Sequence, residues 1–283
     1  MLQDTFRFVV PAILGKFLDP AVCEEKNTQM LDLTMRIMKS GRFNAFAAAM
    51  ETLLSSAIGF ADSETSIKLV YKWFVTGKVT DTAGVEIEGA EINVKVRHTM
   101  VRKIFASSSL PREQKKACFA KLAELDDSDM LGRTEKYCEG AEPDPTSKRE
   151  SFLTIFEKSG ELGLQDLQEL CRGYRQLSQR DLISSHSDDF FERIEGCVNS
   201  KAYSVTRYIY LFLNPSLQAT DEELARFNGL KTRLESYTDE EKKEGTTRLL
   251  NWVKDTIQEL EEKKQGRELS KAWDRAQAGQ ANL

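Results

Sequence analysis

Helix start and stop signals recur along the whole of this chain, and strand signals are nearly absent. The pattern is plainest from Asp126 to Phe156. Ser128 is placed to cap one helix by accepting a bond from a free backbone N–H. Leu131, Glu135 and Cys138 follow at helical spacing. Gly140 reads as the residue just past that helix, because glycine tolerates the left-handed conformation found there. Asp144 then caps a second helix with Pro145 at its first position, where a missing N–H does no harm. Phe152, Ile155 and Phe156 form its apolar stripe. The unit is helix, corner, helix.

The same plan runs from end to end. Asp4 to Leu18 and Glu24 to Lys39 read as helices, with Leu31, Met35 and Met38 on one face of the second. Arg42 to Ile58 is apolar nearly all round, which predicts burial on all sides. Ser63 opens a helix with Ile67, Val70, Tyr71 and Phe74 on one face, and Gly77 stops it. Residues 77–91, punctuated by Gly77, Gly84 and Gly89, predict a loop with a short hairpin at Val85-Glu86-Ile87. That loop is the expected seam between an N-terminal helical segment, 1–76, and a helical-repeat domain, 92–283.

Beyond it, Pro111 sits in the first turn of a helix carrying Cys118 and Leu122. Ser187 is placed to cap a helix bearing Phe190, Ile194 and Val198. Ser200 starts another, ended by Asn214-Pro215. Thr220 with Glu223, and Thr238 with Glu241, spell two capping boxes. The fold class expected is all-α, a HEAT- or ARM-like solenoid of antiparallel helix pairs repeating about every 35–45 residues. A compact, non-repeating bundle is the structural alternative.

Composition narrows the function. A net charge of −5 argues against a nucleic-acid binder, which shows a basic face. No run has the apolar length of a membrane span. The first ten residues carry an early acid and no basic n-region, which argues against a signal peptide. Five widely spaced cysteines with no CxxC pair read as free thiols of a reducing, cytoplasmic compartment.

Reactive constellations are not signalled. His98 and His186 are far apart, and neither belongs to a His-x-x-x-His pair that would set two imidazoles on one helix face. No Gly-x-Ser-x-Gly elbow and no Gly-rich phosphate loop occurs. Acid pairs such as Asp126-Asp127 and Asp188-Asp189 sit at helix starts, where they complement the helix dipole.

Four stretches together resemble the C-terminal helical domain of zinc aminopeptidases of the aminopeptidase N, puromycin-sensitive and endoplasmic-reticulum group. They are Leu69–Val79, similar to the family's Trp-x-x-Gly segment although here three residues separate Trp73 from Gly77, and the Asp-x-x-Gly-Arg … Pro-Asp-x-x-x-Lys run between Asp126 and Phe156. The others are Leu170–Leu182 with Gly-aromatic-x-Gln, and Phe190–Pro215, an aromatic-rich helix ending in Pro. The resemblance covers roughly residues 60–275. It implies a non-catalytic domain that closes the peptide-binding cavity of a parent enzyme. The parent would remove N-terminal residues from peptides with zinc held by His-Glu-x-x-His and a distant Glu, none of which is in this chain. The chain alone is therefore expected to be inactive and to carry no cofactor.

The implied partners are the parent's catalytic domain and a peptide substrate, with no nucleic acid and no membrane. An arginine of this domain would meet the substrate's carboxylate, and Arg172, Arg175 and Arg207 are the candidates. Ala48-Ala49-Met50-Glu51-Thr52 is similar to the family's Gly-x-Met-Glu-Asn segment, but its flanks read as helix, so Glu51 is expected to make a structural bond. The apolar run with Phe6, Phe8, Val9, Ile13, Leu14 and Phe17 predicts self-association through residues 1–60. From another class, the rival reading is a free-standing helical-repeat scaffold that binds a protein partner in its groove.

Overall fold

A computed structural model describes residues 22–238 and 243–280, without the side chains of 273, 274 and 276–280. The expected helix Asp4–Leu18, the apolar run from Phe6 to Phe17 and the Glu241 half of the second capping box lie outside the described residues. Within them the fold is all-α, with thirteen α-helices and no strand. The first six are α1 (Cys23–Lys39), α2 (Ala47–Phe60), α3 (Glu64–Thr76), α4 (Val94–Ala106), α5 (Arg112–Ala123) and α6 (Asp129–Ala141). Then come α7 (Pro145–Glu157), α8 (Leu164–Tyr174), a 3-10 turn (Leu177–Gln179) and α9 (Arg180–Ser184). The last four are α10 (Ser187–Ser200), α11 (Tyr203–Leu213), α12 (Asp221–Glu235) and α13 (Glu244–Gln280).

Side-chain caps fix many of the starts. Ser63, Asn93, Ser128 and Asp144 accept from the backbone N–H groups of Ser66, Val96, Met130 and Ser147. Thr220 and Glu223 form a complete capping box on α12. Each satisfies a donor that the helix leaves unbonded in its first turn. Gly77 ends α3 at φ 72°, as its position predicts.

Three local expectations are corrected. Gly140 is not past the end of α6 but inside it, and the turn out of the helix is made at Glu142, held extended by the following Pro143. Ser187 makes no cap bond; α10 already includes it, and His186 stands at the cap position. The second apolar helix starts at Ala47 instead of Arg42, because Gly41 turns the chain at φ 72°. Its first turn faces outward, with Phe46 63% exposed, and burial begins at Met50. The helix is thus covered on its C-terminal part and not on all sides.

Helices stack neighbour to neighbour: α2 on α4, α4 on α6, α6 on α8, and α8 on α11. On the flank of this layer, α1 packs on α2, α3 and α5 on α4, and α7 on both α6 and α8. At the far end α13 receives α10 and α12. Loop 77–91 keeps its short hairpin, a single antiparallel bridge between Thr80 and Glu86. Val79 and Ile87 bury there beside Trp73, whose indole N–H donates to Thr80 O at 2.8 Å. The loop shares one core with helices on both sides of it, Leu31 to Cys138. The next cluster of buried side chains runs from Phe152 to Leu260.

The two clusters meet where α6 crosses α8. A Cβ on Gly140 would lie 2.3 Å from Leu170 O, and one on Gly173 would lie 2.0 Å from Tyr137 O. Only bare backbone permits so close an approach. Gly140 is therefore a packing residue, which explains its place inside the helix.

Candidate functional site

The stacked helices α2, α4, α6 and α8 send their C-terminal ends to one edge of the layer, where a cleft of about 850 Å³ opens. Gly59 and Phe60 of α2, Ala106 to Ser109 at the end of α4, Pro143 after α6 and Arg175 and Gln176 after α8 all line it. A helix leaves its last carbonyls unbonded, and they carry a partial negative charge of about half an electron. Four such ends on one edge need donors.

The chain supplies them from elements packed alongside. Lys103 Nζ donates to Gly59 O at 2.9 Å, and Lys115 Nζ to Phe105 O at 3.1 Å. Lys148 Nζ donates to Gly140 O at 2.7 Å and to Tyr174 O at 3.1 Å, joining the ends of α6 and α8. Gln179 Nε2 donates to both Ala106 O and Ala141 O at 2.7 Å. Arg97 and Lys121 do the same for Phe74 and Val75 at the end of α3. Lys148 is fully buried, and burial pushes its ammonium down to about 7, with Glu142 opposing the shift.

The three arginine candidates are not brought together. Arg175 lines the cleft, but its Nη1 donates to Asn214 O at 2.7 Å and caps the end of α11. Burial lowers its guanidinium from the usual value. Arg172 pairs at 2.8 Å with the buried Glu169, while Arg207 is exposed on α11 beside the Tyr203 hydroxyl. Of the three, only Arg175 touches the cleft.

Both histidines are structural. His98 joins Asp126 through Nε2 at 2.7 Å and Thr134 through Nδ1 at 2.8 Å. Burial raises the Asp126 carboxyl, but bonds from Ser128 and His98 outweigh it and hold the group low. Asp, His and Thr thus line up as in an acyl-transfer triad, yet Thr134 is wholly buried and also receives a bond from Arg102 Nε. No substrate carbonyl reaches that hydroxyl, so the row ties α4 to α6. His186 Nδ1 lies 2.8 Å from the Tyr174 hydroxyl, and burial, then the charge of Arg149, lowers its pKa. Glu51 accepts from Asn93 Nδ2 at 2.9 Å and pairs with Lys95, the structural role expected of it. Cys118, Cys138, Cys171 and Cys197 are buried free thiols, and burial raises all four.

A second hollow of about 560 Å³ lies between α5, α6 and α7, floored by Phe105, Phe119 and Leu170. Among the described residues no group of three or more His, Cys, Asp or Glu is arranged to hold a metal ion, and no helix is long and apolar enough to cross a membrane. Gln179 and Lys148, which organise the cleft edge, were not singled out by sequence reasoning as site residues. Their role depends on which helix ends they face, and spacing along the chain carries no sign of that. No protein-family model matches this chain, and no curated protein matches it.

Proposed function

We propose that this chain is a non-catalytic, solenoid-like helical domain that encloses a peptide cavity for a zinc metalloaminopeptidase catalytic domain. One observation supports the reading above others. Three of the four stretches that carry the resemblance are bonded to one another at the edge of the cleft. Lys148 of the second stretch holds Tyr174 O of the third, and Gln176 of the third donates to the Tyr137 hydroxyl at 3.0 Å. Arg175 of the third holds Asn214 of the fourth. That these residues build one frame in space supports reading the three stretches as one unit. On this reading zinc belongs to the catalytic domain, and the arginines act through the frame.

The test has two parts. The coding frame on the amino side of Met1 should encode His-Glu-x-x-His. Added back to that catalytic part, this chain should bind it and change its preference among peptides of graded length. A frame without the motif, or a catalytic part whose length preference ignores the chain, would reject the reading. The free-standing scaffold would then be the better account.

A further inference from the structure

Gln179 gives both N–H groups of its amide to the ends of α4 and α6. Its Oε1 is left as a buried acceptor with no donor among the described residues, on a side chain that is 6% exposed and lines the cleft. A buried acceptor left without a donor costs about 1–3 kcal/mol, so this atom favours a donor that arrives through the cleft. Each cation of the same cleft has at least one N–H engaged by the protein itself. Lys103 is engaged by Asp62 and Gly59 O, Arg175 by Asn214 O, Arg267 by Gln218 O, and Arg180 Nε by Leu177 O. The carboxylates of Glu24 and Asp181, both exposed on the cleft lining, make no ion pair among the described residues. Gln179 Oε1 and these two carboxylates are acceptors that the cleft has to offer.

We propose that the cleft recognises the guanidinium of an arginine side chain in a peptide, with Gln179 Oε1 and the Asp181 carboxylate as its acceptors. The proposal rests on the reading of the chain as a peptide-enclosing domain. A guanidinium carries five N–H donors in one plane and is able to serve a buried amide oxygen and a carboxylate at once. It is also less strongly hydrated than an ammonium, so it gives up less on entering a cleft. Phe60, Ile67 and Leu217 line the same cleft and suit the methylene stem. The four helix ends add a partial negative charge of the right sign.

The test is fluorescence anisotropy with the full chain and three labelled nonapeptides that differ only at the centre: Arg, its neutral isostere citrulline, and Glu. The Arg peptide should bind about tenfold more tightly than the citrulline peptide, the worth of one charge-assisted bond. Asp181→Asn should remove most of that preference. Asp181 is exposed, so this variant keeps the fold and carries the test even where Gln179→Met, which also loses two helix caps, does not. Equal binding of the Arg and citrulline peptides to the wild-type chain would overturn the guanidinium site and leave the peptide-enclosing reading standing. So would tightest binding of the Glu peptide. No binding of any of the three would overturn both.

Discussion

Lys148 shows how one buried charge is held. Its ammonium touches only main-chain carbonyls and the face of the Tyr174 ring, 5.2 Å away. Removing it from water lowers its pKa from 10.5 to about 7. In the unfolded chain the group stays protonated up to the ordinary lysine value, so between about pH 7 and pH 10.5 the unfolded state binds more protons. Stability from this group is therefore greatest above the unfolded pKa and is lost as pH falls toward 7. Urea unfolding of wild type and Lys148→Met should differ in slope over that window, by at most about 1.4 kcal/mol per pH unit. Parallel pH profiles would show that the ammonium is solvated. His186 follows the same sign lower down: buried and held neutral, it should take up its proton below the ordinary imidazole range, as a ring-proton titration would show.

Glycines set the scale of the helix contacts. Gly140 and Gly173 lie where α6 and α8 touch backbone to backbone, and Gly132 and Gly229 lie in α6 and α12 with nothing within 4 Å of an added Cβ. Gly140→Ala and Gly173→Ala should each destabilise by about 2–4 kcal/mol, since neither backbone has room to yield. Gly132→Ala and Gly229→Ala should raise stability by about 0.5–1 kcal/mol through helix propensity alone. Thermal melts of the four variants separate packing from propensity. Asp144→Ala, which removes the cap of α7, should cost about 1 kcal/mol. Caps of this kind were legible in the sequence because the bond is local: Ser63, Ser128, Asp144 and Thr220 all act as their spacing predicts. Gly140 was not legible. Whether a glycine turns the chain or admits a neighbour depends on what faces it, and Gly173 is thirty-three residues away in sequence.

At the scale of the whole molecule the all-α class was readable, since helix punctuation without strand alternation leaves little else. The cleft was not, because it is assembled from the ends of four helices and its key amide bonds across 73 and 38 residues. Long-range placement also separates the three arginine candidates: Arg175 faces carbonyls that come from α11. The crossing of α6 and α8 joins the two core clusters, and in a stack held by neighbour contacts a weakened joint divides cooperativity. Gly173→Val should therefore convert a single urea transition into two. In hydrogen exchange, residues 31–138 and 152–260 should then lose protection at different denaturant concentrations. One unbroken transition in a folded variant would place the joint elsewhere.

The helix-end caps also give the chain a time order. Gly59 O is bonded by Lys103, Phe105 O by Lys115, Gly140 O by Lys148, and Ala106 O by Gln179. In these four cases the donor follows the acceptor, so on the ribosome each of these helix ends emerges before the group that closes it, whereas the ends of α8 and α11 meet Lys148 and Arg175 already made. At the end of α4, Phe105 O is met by Lys115 but Ala106 O stays open until 73 further residues have been made. Nascent chains stalled after α6 should carry open carbonyl ends at Ala106 and Ala141, and should be the forms that chaperones hold. Synthesis through Gln179 closes both with one side chain.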